Sequence, residues 1–250
     1  MKHLVENGAF GKITEFENHY DVDNPPWIQK WNSPDLIPGE GMLYGLGTHS
    51  LDQTMQLFGA PSSVTAFTRS LRMESRTDDS FTVILQYAGE QRDLLVTVKT
   101  TVVSPLPPTK QLKYWVRGTK GSFVKYGEDV QIDQLLGAGL KANEPGFGVE
   151  PEEYHGTLST TTAFDEKVQQ KDEASGHWIG KFPSAKGSYM DYYRDVVAAI
   201  RGERDLVVKP EESRDVIRLI ELARDSAEKG VTVAWSARQT VAYTERGILK

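Results

Sequence analysis

The run GEGMLYGLGTHSLDQTMQLFG, residues 39–59, contains the side chain best suited to carry out chemistry, His49. The run is interpreted as a glycine-rich turn that opens an amphipathic helix, and the partial positive charge at a helix N-terminus favours a neutral imidazole. A neutral imidazole can accept or donate a proton, and Asp52 or Gln53 on the same helix surface can fix its tautomer. The pattern therefore predicts an acid–base group, although it also fits a partly buried histidine bonded to a nearby carbonyl.

Other kinds of site have weaker support in the sequence. The GLGTHS run has almost the spacing of a phosphate-binding G-x-G-x-x-G turn, but its third glycine is replaced by Ser50, and a proline-rich loop precedes it where that turn requires a buried strand. No G-x-S-x-G elbow supports a nucleophilic serine. The chain has no cysteine, and none of its 5 histidines pairs with another at i, i+4 spacing, so no metal site is predicted.

Aromatic residues are the remaining candidates for contact with a small molecule. Trp27 and Trp31 lie in the loop that leads to the motif helix, the helix predicted within residues 39–59. Their rings can cover a pocket there or equally well anchor the loop to the core. The Tyr189 hydroxyl is expected to donate to a ligand oxygen, whereas its neighbours Tyr192 and Tyr193 are assigned to the core. The predicted substrate-binding residues are Tyr20, Trp27, Trp31, Tyr44, Asp52 and Tyr189.

The order of elements positions these residues in a predicted α+β fold. A strand over residues 12–22 and an irregular loop precede the motif helix, which ends at Gly59-Ala60-Pro61. Four strands rich in β-branched and aromatic residues follow, and residues 129–186 carry too weak a pattern to assign more than a long loop with short helical turns. Two helices, ending at Gly202 and Gly230, precede a last strand. The fold class is an open, mostly antiparallel sheet with helices on one face, as a single domain over residues 1–250.

Composition narrows the classes of partner. The chain has 250 residues, of which 38% are hydrophobic, enough to bury a core. The formal net charge of -6 and the lack of a basic cluster make nucleic acid and an anionic membrane surface unexpected as partners. No apolar run reaches the roughly 20 residues of a membrane span, and no signal peptide is recognised. The expected location is the cytoplasm, which suits a chain without cysteine.

Four stretches closely resemble the C-terminal half of the glucose-fructose oxidoreductase, inositol dehydrogenase and rhizopine-catabolism (Gfo/Idh/MocA) family. They are LVENGAFGKITEFENHYD, GEGMLYGLGTHSLDQTMQLFGAP, VKYGEDVQIDQLLGAG and GSYMDYYRDVVAAIRGERDLVVKPEESRDVIRLIELARDSAEKGVTVAW. The resemblance implies a domain of NAD(P)-dependent sugar and polyol oxidoreductases whose first helix carries the catalytic histidine, here His49. It also implies that the family's Rossmann half is missing from these residues, so the chain by itself is expected to hold no cofactor.

Three residues depart from the pattern that the resemblance implies. Gly45 stands where an aspartate is usual, Val22 where an arginine is expected, and Ser188 where an acidic residue is usual. Losing an aspartate and an arginine from the implied substrate pocket argues against hydride transfer by this chain alone. The surviving His49 still allows acid–base chemistry.

Three hypotheses of function follow. The first is a cofactor-independent derivative in which His49 performs an isomerisation, elimination or cyclisation on a small oxygenated substrate. The second is an NAD(P)-dependent oxidoreductase represented by a fragment without its cofactor domain. The third is a non-catalytic binding or dimerisation module.

The resemblance also implies assembly through the open face of the sheet. We expect the alternating apolar residues Val96, Val98 and Val102 to lie on that face and to need cover from a partner chain. A two-fold homodimer is the simplest way to cover such a face.

Overall fold

Within residues 1–236, a sheet of ten strands forms the framework, in the order β10-β2-β3-β4-β1-β5-β6-β7-β9-β8. The structure is a computed structural model and describes residues 1–236. The strands are β1 (Ile13–His19), β2 (Ser63–Arg69), β3 (Ser80–Gln86), β4 (Leu95–Thr100), β5 (Leu112–Gly118), β6 (Gly121–Tyr126), β7 (Gly156–Thr160), β8 (Gln169–Lys171), β9 (Trp178–Phe182) and β10 (Val233–Ala234). Among these strands the β1–β4 pair is parallel and the other pairs are antiparallel.

Two long helices cover one face of this sheet. The helices are α1 (Lys2–Glu6), α2 (Met42–Phe58), α3 (Gln131–Leu136), α4 (Tyr189–Ile200) and α5 (Pro210–Lys229). Helix α2 packs on β1, β3 and β4, and α5 packs on β2 and against α2. The core between them is apolar, with Phe16, Val83, Val98 and Leu219 each 0% exposed. The predicted α+β class, with helices on one face of a mostly antiparallel sheet, is therefore confirmed.

The strands predicted around the motif helix are confirmed, and those near the far edge of the sheet were not predicted. Strands β7, β8 and β9 fall within residues 129–186, which were interpreted as a long loop. They are short and carry sequences such as GTLST and QQK, whose polar residues give no apolar alternation. A 3-10 helix, Pro26–Trp31, also interrupts the predicted irregular loop. The prediction of one domain extends over residues 237–250, which lie outside the described residues.

Helix α2 begins earlier than the sequence suggested. Gly45 and Gly47 lie within it, and its first residue is Met42. The backbone N–H groups of Met42 and Leu43 donate to the carbonyl and the carboxylate of Asp78, each over 2.8 Å. His49 therefore lies about two turns into the helix, beyond the first turn to which the dipole effect is confined. The prediction of a helix-terminal histidine in a glycine-rich turn is wrong.

The open face of the sheet differs from the face predicted for it. Val96, Val98 and Val102 are each 0% exposed, because they point towards the helices of their own chain. The prediction that these valines need a partner is therefore wrong. The alternate residues of β4, Thr97 and Lys99, lie half-buried on the open face.

Helix α4 confirms its predicted boundaries but not its predicted burial. Tyr192 and Tyr193 are 66% and 61% exposed, so their assignment to the core is wrong. Several of its apolar side chains are exposed, and Asp195 is its one buried residue. Within residues 1–236, no helix is long and apolar enough to cross a membrane.

The start of α2 generates a test with two neighbouring glycines. Gly45 is exposed, and a Cβ added there meets no atom within 4 Å, so Gly45→Ala is expected to stabilise the protein by about 1 kcal/mol, as in any exposed helix interior. At Gly47 an added Cβ would lie 3.2 Å from both Leu43 Cδ1 and Phe81 Cζ, and Phe81 is 0% exposed. The matched variant Gly47→Ala is therefore not expected to show the stabilisation that Gly45→Ala shows relative to the parent.

Urea denaturation of the two variants and the parent measures both effects. If residues 45–47 instead formed a flexible turn, the two substitutions would change the unfolding free energy by the same amount. Equal unfolding free energies for Gly45→Ala and Gly47→Ala would contradict the helical assignment.

Candidate functional site

His49 lies beside Tyr20 at the end of strand β1. The two ring centroids are 6.3 Å apart, and the backbone N–H of Tyr20 donates to Lys99 O over 3.0 Å, which fixes the tyrosine at the sheet. The His49 side chain is exposed and forms no hydrogen bond with another of the residues 1–236. Its imidazole is therefore available to a ligand or to solvent.

Asp52 lies one turn after His49 and does not hydrogen-bond to it. Burial raises the pKa of Asp52, and the nearby negative charge of Glu212 raises it further, while His49 opposes the shift. Gln53, the other residue expected to orient the imidazole, accepts hydrogen bonds at its Oε1 from the Tyr114 hydroxyl over 2.8 Å and from Asn18 Nδ2 over 3.1 Å. The tautomer of His49 is therefore not fixed by either neighbour.

A buried ammonium group, that of Lys113 on β5, lies next to Tyr20. Lys113 is 5% exposed, and its Nζ donates to His19 O over 3.1 Å and lies 3.1 Å from Glu128 Oε2. The same Nζ stands 4.8 Å from the ring centroid of Tyr20 and 5.3 Å from that of Tyr114. Two oxygen partners and two aromatic faces thus replace the water that this charge loses on burial.

The carboxylate of Glu128 retains an unused acceptor. Burial raises the pKa of Glu128, although the positive charge of Lys113 opposes the shift. Its Oε2 faces Lys113, whereas its Oε1 is buried and has no hydrogen-bond partner among the described residues. A buried oxygen without a donor is costly, so a ligand hydroxyl that donates to Oε1 would be stabilised there.

Tyr20 carries its proton over the whole physiological range. Burial and then the negative charge of Glu128 raise the pKa of the Tyr20 hydroxyl to about 12. A neutral phenol both donates and accepts a hydrogen bond. Tyr20 therefore adds a neutral polar group between His49 and the charged Lys113–Glu128 pair.

A polar cavity of about 290 Å³ opens next to these groups. Its lining includes Gln53, Lys113, Glu128, Gln131 and Glu150. The Oε1 of Gln53 is already engaged, so its amide Nε2, which no described residue accepts from, is the group left to donate into this space. The lining of the cavity thus combines ammonium and amide groups with carboxylate side chains.

Tyr189 is bonded to Gln131, one of the residues that line this cavity. The backbone N–H of Tyr189 donates to Gln131 Oε1 over 2.9 Å, and Gln131 Nε2 donates to Asp129 Oδ2 over 2.8 Å. The Tyr189 ring packs edge-on against Phe147, with centroids 6.0 Å apart. Burial, followed by the charges of Asp129 and Asp133, raises the pKa of the Tyr189 hydroxyl, which therefore stays protonated and can donate.

Three of the predicted binding residues lie outside this group. Trp31 is 3% exposed, packs edge-on against Trp27, and donates from Nε1 to Glu40 Oε2 over 2.6 Å, which fits a role in pinning the loop. The Tyr44 ring lies 5.6 Å from the guanidinium carbon of Arg224. Within residues 1–236, no hydrogen bond, ion pair or ring contact joins these three aromatic residues to His49, so a substrate contact by them stays a prediction.

The residues that sequence reasoning missed are Lys113, Glu128 and Gln131. One signal was present: a lysine in the middle of a strand-like stretch, QLKYWVRGT, followed after the next strand by the acidic pair Glu128-Asp129. A lysine inside a buried strand requires a partner of opposite charge. The partner itself becomes visible only when β5 and β6 are paired.

The described residues do not provide a cradle for a dinucleotide. GLGTHS lies inside α2, not at a strand-to-helix turn, so its backbone N–H groups do not face a phosphate site. The parallel strands β1 and β4 are joined through α2, β2 and β3 instead of a single crossover helix. Residues 1–236 also contain no group of three or more His, Asp or Glu side chains that could hold a metal ion.

The fold is that of the C-terminal domain of the Gfo/Idh/MocA oxidoreductases. Residues 2–235 match the family described as "Oxidoreductase family, C-terminal alpha/beta domain", and the chain belongs to this family. The predicted resemblance is therefore confirmed.

Individual relatives agree with this assignment. The chain is 32% identical over 233 residues to scyllo-inositol 2-dehydrogenase (NADP(+)) IolW of Bacillus subtilis, covering 93% of this chain and 60% of that protein. It resembles the structure of the oxidoreductase yvaA from Bacillus subtilis with a TM-score of 0.76 and 30% identity, covering 94% of this chain and 61% of the other. The oxidoreductase YPO2259 from Yersinia pestis gives a TM-score of 0.76 at 29% identity, with 95% and 61% covered. The chain thus spans about three fifths of the length of these proteins.

The Lys113–Glu128 pair generates a stability test. Lys113→Met leaves the Glu128 carboxylate without its counter-ion and is expected to cost about 3 kcal/mol of unfolding free energy. The double variant Lys113→Met/Glu128→Leu removes both charges and is expected to recover most of that loss. The matched control is Lys229→Met at the pair Lys229–Asp225, whose side chains are 60% and 47% exposed, where the cost should stay below about 1 kcal/mol.

Urea denaturation of the four proteins at one pH measures these differences. A Lys113→Met variant as stable as the parent would show that the ammonium is not a paired buried charge. A double variant no better than the single one would show that the loss comes from packing alone.

Proposed function

We propose that this chain is the substrate-binding domain of an NAD(P)-dependent oxidoreductase whose substrate is a polyol or a sugar. The observation that carries the proposal is the polar cavity lined by Lys113 and Glu128, a buried ion pair in which Glu128 Oε1 has no hydrogen-bond partner among the described residues. A hydroxyl donates one hydrogen bond and accepts others, so neighbouring hydroxyls of a polyol match a donor and an acceptor held side by side. Membership of an oxidoreductase family supports the reaction class.

In this proposal the chain binds and orients the substrate and handles a proton. Glu128 Oε1 accepts from one substrate hydroxyl, Gln53 Nε2 and Lys113 Nζ donate to its neighbours, and Tyr189 closes the rim. The exposed imidazole of His49 exchanges a proton with the hydroxyl or carbonyl oxygen that reacts. Because residues 1–236 offer no dinucleotide cradle, no step that involves the cofactor is assigned to them.

The relatives favour this proposal over a cofactor-independent isomerisation, elimination or cyclisation. IolW is a scyllo-inositol dehydrogenase that uses NADP(+), which makes cyclitols the first substrates to examine. Gly45, at the position of the family's usual aspartate, leaves His49 without a carboxylate one turn before it. The missing charge is a reason to expect a substrate preference different from that of IolW within the same class.

Substrate binding and hydride transfer can be tested separately. Calorimetry with scyllo-inositol, myo-inositol and glucose measures binding to the chain alone. The chain joined at its amino terminus to the part of IolW that precedes its matching segment tests reduction of NADP(+) by absorbance. We expect cyclitol binding by both proteins and NADP(+) reduction by the joined protein only, since residues 1–236 offer no dinucleotide cradle.

His49→Ala in the joined protein is expected to lower turnover about 100- to 10,000-fold, because a general acid or base is removed, without a change in melting temperature. The matched control is His177→Ala, another exposed histidine, which lines a different cavity and should leave turnover unchanged. Equal turnover by His49→Ala and the parent would show that His49 takes no part in the reaction. Conversion of a substrate by the chain alone, without nicotinamide, would establish the cofactor-independent reaction instead.

We also propose that two copies of the chain pair through the open face of the sheet. The face carries Phe67 and Leu95, which are 56% and 44% exposed, together with Trp115. Exposed apolar side chains on a sheet face are typical of a surface that is covered in a symmetric dimer.

Sedimentation over a hundredfold dilution tests this pairing. We expect a dimer that Phe67→Glu converts to a monomer, because the new charge would be buried without a partner. Leu106→Glu is the matched control, since Leu106 is 54% exposed but lies outside the strands. A parent protein that is monomeric at all concentrations would contradict the proposed pairing.

A further inference from the structure

A histidine, His19, lies between two carboxylates on the open face of the sheet. Along β1, Phe16 and Asn18 are 0% exposed, and Asn18 Nδ2 donates to Ser50 O of α2 over 3.0 Å, so these residues point towards the helices. Successive side chains of a strand alternate between its two faces, which places Glu17 and His19 on the opposite face. His19 therefore belongs to the surface through which two copies are proposed to pair.

Both ring nitrogens of His19 face a carboxylate oxygen. Nε2 lies 2.9 Å from Glu17 Oε2, and Nδ1 lies 3.3 Å from Asp21 Oδ2. The Asp21 carboxylate is fixed in place, because its other oxygen accepts from Thr101 N–H over 2.9 Å. A neutral imidazole has one N–H and donates to one of these oxygens only, which leaves the lone pair of its other nitrogen against the second carboxylate. The imidazolium donates to both, so this geometry fits the charged form.

The bonds to the two carboxylates favour the charged form of His19. Burial lowers the pKa of His19, but the hydrogen bonds from the ring to Asp21 and Glu17, together with the charges of these carboxylates, outweigh burial. The pKa therefore lies above its ordinary value of 6.5. His19 thus keeps its proton into the pH range in which an ordinary histidine has lost it.

The charged side chains of the neighbouring segments do not replace this proton. Lys99 of β4, the register partner of His19, adds one positive charge to the face. Three further pairs around the cluster are each neutral overall: Lys113–Glu128, with 3.1 Å between Nζ and Oε2, Arg117–Glu15, with 3.0 Å between Nη1 and Oε2, and Arg72–Asp23, with 2.8 Å between Nη2 and Oδ1. The imidazolium and Lys99 therefore balance Glu17 and Asp21, whereas a neutral His19 leaves one carboxylate in excess.

We propose that pairing of two copies through the open face takes up a proton on His19 of each copy, so that the assembly responds to pH. The inference rests on the proposed pairing and not on the reaction class. Glu17 lies opposite Trp115 in register, so a second copy that covers the apolar residues of this face also covers the Glu17 side chain, which is 38% exposed. A two-fold pair contains the cluster twice, and an excess carboxylate in each copy would be buried without a counter-ion.

The direction of the pH effect follows from the water that Glu17 loses. When a second copy covers Glu17, its carboxylate is less well solvated and holds the His19 proton more strongly. His19 itself is already only 7% exposed, so the imidazolium loses little further water. The pKa of His19 is therefore higher in the pair than in the single chain. Pairing keeps its full strength below the pKa of the single chain and weakens as the pH rises through the pKa in the pair.

Sedimentation equilibrium from about pH 6 to about pH 9 measures this link, and we expect the dissociation constant of the parent dimer to rise about tenfold or more, because each of two copies releases a proton. His19→Gln cannot titrate, so its dissociation constant should stay constant and match that of the parent at high pH. Glu17→Gln removes the excess carboxylate, so this variant should stay paired at high pH. The matched control His3→Gln, at an exposed histidine of α1, should keep the pH dependence of the parent.

The ring nitrogen shifts of His19 in the parent give a second measurement that needs no variant, and we expect an imidazolium at about pH 7 in the pair. A neutral His19 there, a dissociation constant that does not change with pH, or a His19→Gln variant with the pH dependence of the parent would each overturn the proton uptake and leave the pairing standing. A parent that is monomeric at every pH removes both. Reduction of NADP(+) by the joined protein tests the proposed function independently of either result.

Discussion

The buried carboxylate of Asp78 is the contact on which the arrangement of the helices depends. It is 3% exposed, and its Oδ2 accepts from Leu43 N–H at the start of α2 while its Oδ1 accepts from Arg224 of α5 over 2.9 Å. Burial raises the pKa of Asp78, although the Leu43 N–H and Arg224 oppose the shift. One side chain, from the segment before β3, thus caps α2 and ties it to α5. The rotation of α2 about its axis, and therefore the direction of His49, follows from this contact.

Around His49, burial of charge shapes the remaining chemistry. An ammonium inside a sheet face is tolerated only if every water it loses is replaced, and Lys113 has the His19 carbonyl, the Glu128 carboxylate and two aromatic rings for this. The pair leaves Glu128 Oε1 buried and without a donor among the described residues. A buried oxygen without a hydrogen-bond donor is unusual in a protein core and is typical of a site where a ligand supplies the donor.

Sequence reasoning succeeded where the signals are local. Helix α5 begins with Pro210 and ends before Gly230, which adopts the left-handed conformation at φ 66°, and both boundaries were predicted. The start of α2 was wrong because its cap, Asp78, lies 35 residues away from Leu43. For α4 the periodicity predicted the helix, but periodicity alone does not tell which body covers the apolar side. For the Lys113–Glu128 pair, the sequence shows a lysine within a strand-like stretch but does not identify its partner, which lies after β6.

These contacts lead to one central claim: the space between α2, the end of β1 and β5 is a binding site for a polyhydroxylated molecule. Amide and histidine-ring spectra of the isotope-labelled chain, recorded during titration with scyllo-inositol, test the claim without any assumption about turnover. The account predicts saturable shifts at Tyr20, His49, Gln53, Lys113 and Glu128. Shifts confined to another surface, such as the turn at residues 118–122, or no shifts at millimolar cyclitol, would contradict it.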